Sequence, residues 1–102
     1  MPALRLLGAS LRRLAGASEL RVPGGEVGEV LEAWLEGGAA ELEALVFDAE
    51  ETRRSGARAL GRDLKVLVNG RSIEFLAGLR TPVGERDTIS LFLAGARGWP
   101  GG

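Results

Sequence analysis

The sequence predicts an α+β fold, in which one amphipathic helix packs on one face of a mixed sheet. The helix is indicated by five apolar residues at the i, i+3, i+4, i+7, i+8 spacing of a single face: Val27, Val30, Leu31, Trp34 and Leu35. The sheet is indicated by short apolar runs, two of which flank Asn69-Gly70, the preferred pair for a type I′ hairpin turn. With 102 residues, the chain has the size of one domain with one core.

The segment before the main helix predicts two strands and one short helix. Residues 4–7 have the pattern of a first strand. Residues 11–15 are predicted as a helix, with Ser10 as its N-cap and Gly16 in the left-handed conformation that ends it. Residues 19–22 alternate polar and apolar side chains, which is typical of a half-buried strand.

The segment after the main helix predicts a second helix and then a long loop. Gly37-Gly38 should end the main helix, and Ala40–Val46 should form the second one. Its inward residues should be Leu42, Leu45 and Val46, together with Phe47 just after it. Residues 48–63 are rich in charge and have no apolar period, so we expect a loop. This loop is either a solvated charged surface or a docking surface for an acidic partner.

Three strands complete the predicted sheet. Residues 65–68 and 71–75 flank the Asn-Gly turn and form the hairpin. Residues 88–93 form the last strand, and their alternation places two sets of side chains on opposite faces. The core set is Ile89, Leu91 and Leu93, and the opposite set is Ser90 and Phe92.

Composition excludes several kinds of site. The chain has no cysteine and no histidine, which rules out thiol catalysis, cysteine-containing zinc sites and a histidine general base. A formal net charge of −1 gives no sign of a nucleic-acid partner or of an anionic membrane surface. No apolar run is long enough to span a membrane, and residues 1–7 lack the pattern of a signal peptide. We therefore expect a cytoplasmic protein with no membrane or nucleic-acid partner.

The final residues of the sequence, Gly101 and Gly102, give the strongest indication of function. Glycine has no Cβ, so such a tail passes through a tunnel too narrow for other residues. A terminal carboxylate is ionised at neutral pH and is a poor electrophile, so its reaction requires activation by a nucleotide. The chemistry would then lie on the main chain and not on a side chain.

Several short motifs, in order along almost the whole chain, carry a resemblance to one known family. They are LRRLAG (11–16), VGEVLE (27–32), VLVNGR (66–71), LRTP (79–82), SLF (90–92) and GG (101–102). With these motifs the chain resembles the MoaD/ThiS family of ubiquitin-like sulfur carriers, and resembles MoaD, the small subunit of molybdopterin synthase, more closely.

The resemblance implies a β-grasp fold for residues 1–93, followed by a flexible Gly-Gly tail at residues 94–102. It implies that a MoeB-type, ubiquitin-activating-like adenylyltransferase uses ATP to adenylate the Gly102 carboxylate, which is then converted to a thiocarboxylate. In MoaD that sulfur goes to a pterin precursor in a complex with a MoaE-type large subunit. The chain would thus be a protein cosubstrate with no bound cofactor, and catalysis would reside in its partners.

The same resemblance places Phe92 where MoaD faces its partner subunits. The alternative is that Phe92 is a surface aromatic residue that packs under the tail. The connection from Phe92 to Gly102 is longer here than in the family, and it contains Arg97, Trp99 and Pro100. We expect these three residues to contact the partner as well. Pro100 biases Trp99 towards an extended backbone, which suits threading of the tail into an enzyme.

Three other functions fit the same sequence. The chain could carry sulfur for a different thiolation pathway, such as that of tRNA or thiamine. It could be a ubiquitin-like modifier that is joined to target lysines by an isopeptide bond. It could also be a non-catalytic β-grasp binding module whose glycines are incidental. The first two also require adenylation of Gly102, so the Gly-Gly motif does not separate them from the molybdopterin pathway.

Overall fold

The computed structural model of the chain describes residues 1–36 and 40–93. Its sheet has five strands, in the spatial order β2-β1-β5-β3-β4. The strands are β1 (Ala3–Leu6), β2 (Glu19–Arg21), β3 (Leu64–Val68), β4 (Arg71–Ser72) and β5 (Thr88–Leu93). β1 and β5 are parallel, and the other neighbours are antiparallel, so the sheet is mixed as predicted.

Four helices are described alongside the sheet: α1 (Ala9–Ala15), α2 (Val27–Leu35), α3 (Ala40–Val46) and α4 (Ala49–Ser55). Two short 3₁₀ turns, Ile73–Phe75 and Gly78–Arg80, connect β4 to the segment before β5. The prediction that Gly37-Gly38 ends α2 lies outside the described residues. None of the described helices is long and apolar enough to cross a membrane.

The core lies between α2 and one face of the sheet. Val27, Val30 and Leu31 of α2 are completely buried, and the inward side chains of the three central strands meet them. Glu29 and Glu32 of α2, and Glu36 directly after it, are exposed on the side away from the core. Trp34, which was predicted to be a core residue, is half-buried and packs against the edge of the core.

Two predictions of local structure are wrong at their boundaries. Ser10 does not cap α1, because the helix begins two residues earlier than predicted and its N-cap is Gly8, with no capping hydrogen bond from a side chain. Gly16 does end this helix in the left-handed conformation, with φ 76°. The second hairpin strand stops at Ser72, because the Ser72 hydroxyl accepts a hydrogen bond from the Glu74 N–H and starts a 3₁₀ turn.

The prediction of a continuous loop at residues 48–63 is also wrong, since this segment contains α4. The Asp48 carboxylate caps the helix by accepting a hydrogen bond from the Glu51 N–H at 2.9 Å. Gly56, with φ 78°, closes it in the left-handed conformation. Helix α4 has no buried residue, and for this reason its sequence has no apolar period.

Candidate functional site

Strand β5 positions the predicted tail. It lies between β1 and β3 near the middle of the sheet, and its last residue, Leu93, pairs with Leu64 at the start of β3. The predicted site residues Arg97, Trp99, Pro100, Gly101 and Gly102 lie outside the described residues. Phe92 is the predicted site residue that the structure places.

The structure confirms the predicted faces of β5. Ile89 and Leu91 are completely buried and Leu93 is half-buried, all on the core side of the strand. Ser90 and Phe92 are half-buried on the opposite side. In the strand register, Phe92 lies beside Lys65, and Ser90 lies between Arg5 and Leu67. We refer to Arg5, Lys65, Leu67, Ser90 and Phe92 as the outer face.

Two ion pairs border the outer face. Arg5 Nε lies 3.5 Å from Glu19 Oε1 on one side, and Lys65 Nζ lies 3.5 Å from Glu74 Oε2 on the other. All four side chains are 40–67% exposed. Ion pairs this exposed contribute little to folding, about 0–1 kcal/mol each. The fold therefore does not depend on either ion pair.

A hydrogen-bonded network fixes the beginning of β5. The Asn69 side chain donates from Nδ2 to Asp87 Oδ1 at 2.9 Å and accepts from the Thr88 N–H at 3.0 Å. The Gly84 N–H donates to Asp87 Oδ2 at 2.7 Å. These bonds, first that from Asn69 and then that from Gly84, hold the pKa of Asp87 below its usual value. The network ties the hairpin turn to the strand that leads into the tail.

A charged contact that sequence reasoning missed lies on the helical side. Arg58 donates to both Glu32 carboxylate oxygens, at 2.9 and 3.0 Å, and its guanidinium lies 4.3 Å from the centre of the Phe47 ring. The hydrogen bond to Glu32 raises the pKa of Arg58 further above its already high value. This contact joins the segment after α4 to α2, and the 26-residue separation of the pair explains why no local pattern indicated it.

The described residues hold no group of three or more carboxylate, cysteine or histidine side chains suited to a metal ion. The features that the structure brings together are the outer face, the ordered start of β5 and the point where β5 reaches residue 93. The outer face thus includes two residues of the strand that continues in the sequence towards Gly101-Gly102.

Comparison with known proteins gives structural matches but no sequence match. No protein-family model and no curated protein matches the chain. Small archaeal modifier protein 1 of Methanosarcina acetivorans matches with a TM-score of 0.79 and 28% identity over 94% of each chain. The Haloferax volcanii protein of the same name matches with a TM-score of 0.67 and 27% identity, covering 94% of this chain and 97% of that one.

A chain from the Amycolatopsis orientalis BexX/CysO complex matches with a TM-score of 0.74 and 23% identity. The alignment covers 96% of this chain and 100% of that one. These likenesses, together with the mixed five-stranded sheet and its helix, establish the ubiquitin-like β-grasp fold that was predicted.

Proposed function

We propose that this chain is a cytoplasmic ubiquitin-like sulfur carrier whose reactive group is the carboxylate of Gly102. The observation that carries the proposal is the position of β5. The strand lies inside the sheet of a ubiquitin-like fold, presents Phe92 on the outer face and continues in the sequence to Gly101-Gly102. A rigid domain of this kind gives a partner enzyme a surface to hold while it acts on the tail.

The proposed reaction has two steps and uses no side chain of this protein. A carboxylate oxygen of Gly102 attacks the α-phosphorus of ATP, forms an acyl adenylate and releases pyrophosphate. A hydrosulfide ion, supplied by a sulfide donor, then attacks the acyl carbon and forms the C–S bond while the C–O bond to AMP breaks; loss of the thiol proton leaves the thiocarboxylate. The mixed anhydride supplies the leaving group that the free carboxylate lacks. The absence of cysteine agrees with this route, because the sulfur is carried on the main chain.

For the finer assignment, we propose that the sulfur is used in molybdopterin synthesis. The MoaD-like motifs at 66–71, 79–82 and 90–92 support it. The partners would be a MoeB-type adenylyltransferase that consumes ATP and a MoaE-type large subunit that transfers the sulfur. The outer face around Phe92 would contact both of them in turn. The Amycolatopsis match comes from a complex of two proteins, so a domain of this fold can assemble with another chain.

A second candidate is a ubiquitin-like protein modifier. The Methanosarcina neighbour, at 28% identity, is by name a modifier protein. In this case a lysine amine of a target protein would attack the acyl adenylate, form an isopeptide bond and release AMP. Both candidates share adenylation and differ only in the nucleophile.

Deletion of Gly102 tests the shared part of both candidates. We expect the variant to melt at the temperature of the parent protein, because a single residue at a chain terminus contributes almost nothing to packing. We expect it to lose sulfur acceptance completely when incubated with the activating enzyme, ATP and a sulfur donor. A deleted protein that still accepts sulfur would remove the proposal.

The intact mass of the parent protein from the same incubation separates the candidates. The intact mass of a sulfur carrier increases by the difference between one sulfur atom and one oxygen atom. A modifier instead appears as a conjugate of higher mass when lysine-containing proteins are added. A protein that shows neither product is a non-catalytic binding module.

A further inference from the structure

The structure contains a groove beside the last residue of β5, which has no role in the proposed function. The groove has a volume of about 550 Å³ and lies between the end of α3, the beginning of α4 and the turn at residues 61–63. Leu93, the last residue that the structure describes before Gly101-Gly102, is one of its lining residues. Its apolar lining consists of Ala44, Leu45, Phe47, Ala49 and Leu93.

Backbone hydrogen bonds make this groove a preformed feature. The Gly61 N–H donates to the Val46 carbonyl at 2.8 Å, and the Asp48 N–H donates to the Ala59 carbonyl at 2.8 Å. Phe47 and Leu60 form an isolated β-bridge between the same two segments. A Cβ on Gly61 would overlap the Leu45 carbonyl oxygen, so the turn packs directly on α3. A ligand would find these walls already in place.

The four arginines of residues 48–63 fall into two groups, those that form ion pairs with described residues and those that do not. Arg54 lies near Glu50 and Glu51, and Arg58 is bound to Glu32. Arg53 and Arg62 form no ion pair with any residue that the structure describes, and both of them line the groove. Three carboxylates line it as well: Asp48 caps α4, Glu50 lies near Arg54, and Asp63 has no ion pair among the described residues. Two unpaired guanidiniums at the rim of a partly apolar groove are suited to an occupant that carries a carboxylate and an apolar ring.

We propose that the occupant is the chain's own segment 94–102. This segment begins at Leu93 and has nine residues, which span at most about 30 Å when extended. It carries the apolar Trp99 and Pro100 and the Gly102 carboxylate, which match the apolar lining and the two guanidiniums. It also carries one cation, Arg97, and the groove holds the carboxylate of Asp63, which has no ion pair among the described residues.

The docked tail would regulate its own activation. A carboxylate that is held at Arg53 and Arg62 is not available to the activating enzyme, so the apparent affinity falls with the fraction of undocked tail. This consequence rests on the proposed function, whereas the docking itself does not. The enzyme would then have to displace Trp99 and the connection around it from the groove before it could act on Gly102.

The docking is tested by fluorescence of the full chain carrying Trp34→Phe, in which Trp99 is the sole tryptophan. We expect Trp99 to be shielded from acrylamide. The double variant Arg53→Gln, Arg62→Gln should shift the docking equilibrium by about fivefold towards the exposed state, the effect of losing two exposed ion pairs. The matched control is Arg54→Gln, which lies on the same helix but outside the groove lining and should leave the shielding unchanged.

Three outcomes would overturn the proposal. Trp99 that is exposed in the parent protein, or equally shielded in the double variant, means that the tail does not use this groove. Shielding that disappears on dilution assigns the groove to a second copy of the chain. An effect of the double variant on activation, with no change in Trp99 shielding, assigns it to an acidic segment of the activating enzyme.

A second measurement does not depend on the Trp34 substitution. Amide NMR signals of Ala49, Arg53 and Arg62 should move between the parent protein and Trp99→Ala, and signals of the distant β2 should not. Unchanged groove signals would exclude the docked tail.

The regulation is tested with the activating enzyme and ATP. The Arg53→Gln, Arg62→Gln variant should reach half-maximal pyrophosphate exchange at a carrier concentration about fivefold lower than the parent protein. If only this exchange measurement fails, the regulation is rejected and the docking stands.

Discussion

Asn69 joins two parts of the fold that are distant in the sequence. Its own backbone, with φ 52°, forms the hairpin turn together with Gly70 at φ 86°, as expected for a type I′ turn. Its side chain bonds to Asp87 and to the backbone of Thr88, 18 and 19 residues further along. The residue therefore sets the turn locally and aligns the start of β5 at the same time.

Substitution of Asp87 by Asn should lower the melting temperature at pH 7. The network lowers the pKa of Asp87 in the folded protein, so its contribution to stability is complete above the unfolded-state pKa of about 3.9. It is lost as the pH falls through the lower folded-state value. The deficit of Asp87→Asn should thus shrink in acid, as measured by thermal melting at pH 7 and below pH 4. Asp63→Asn is the control, and a deficit that is constant with pH would refute the ionic origin.

Gly61 is the glycine at which added volume should cost most. The Cβ of an alanine would overlap the Leu45 carbonyl oxygen, which belongs to the backbone and cannot rotate away. We expect Gly61→Ala to lower the free energy of unfolding by about 1–3 kcal/mol, the usual cost of overpacking. Gly84→Ala is the matched control, since its nearest contact is the Asp87 carboxylate at 3.9 Å. Equal chemical denaturation curves for the two variants would contradict the close packing.

Helix α4 is stabilised by its ends and not by burial. No residue of α4 is buried, and seven residues are too few for a stable helix in water on their own. Its stability comes from the Asp48 cap, the ordered Gly56 end and the hydrogen bond from the Ala59 N–H to the Thr52 hydroxyl at 3.0 Å. It should therefore open without unfolding the core.

Loss of the Asp48 cap should release α4 selectively. Asp48→Ala leaves the Glu51 N–H without its partner, which costs a helix about 0.5–2 kcal/mol. We expect faster hydrogen exchange at the amides of α4, with little change in the melting temperature of the domain. Exchange at β3 serves as the internal control. Equal acceleration in β3 would mean that α4 and the core unfold together.

The sequence predicted best those elements that are determined by residues close together in the chain. The period of α2, the Asn-Gly turn and the alternation of β5 depend on residues within a few positions of one another. Helix α4 was missed because it has no apolar face. Its two end signals, the N-cap Asp48 and the closing Gly56, are nevertheless both present in the sequence. The groove beside Leu93 depends on contacts of Gly61 with α3, which no short pattern records.

At the scale of the whole molecule, the structure separates folding from proposed function. The core side of β5 is filled by Ile89 and Leu91, and the outer face carries Phe92. Changes on the outer face should therefore affect binding without removing the core.

Phe92→Ala and Gly101→Val should impair activation in different ways. A buried aromatic anchor contributes about 2 kcal/mol or more to an interface, so Phe92→Ala should raise the carrier concentration for half-maximal ATP–pyrophosphate exchange by roughly thirtyfold. Gly101→Val adds a β-branched side chain beside the reacting residue, so exchange should stay low even at saturation. Phe75→Ala, which removes a phenylalanine that is 84% exposed elsewhere, is the control. Unfolding of Phe92→Ala would show that Phe92 stabilises the domain, and would contradict the separation of folding from binding on the outer face.

Because β5 lies between β1 and β3, the ribosome must make residues 88–93 before the sheet can close. Until then β1 has no parallel neighbour, β3 lacks a partner on one side, and the nascent chain exposes apolar strand edges, which favour aggregation. Synthesis that stops before β5 therefore yields an unfolded chain that cellular proteases can remove. Any molecule that does fold has already been translated to within a few residues of its Gly-Gly pair. A chain cut short before β5 lacks Ser90 and Phe92, and with them the part of the outer face that the proposed activating enzyme would hold.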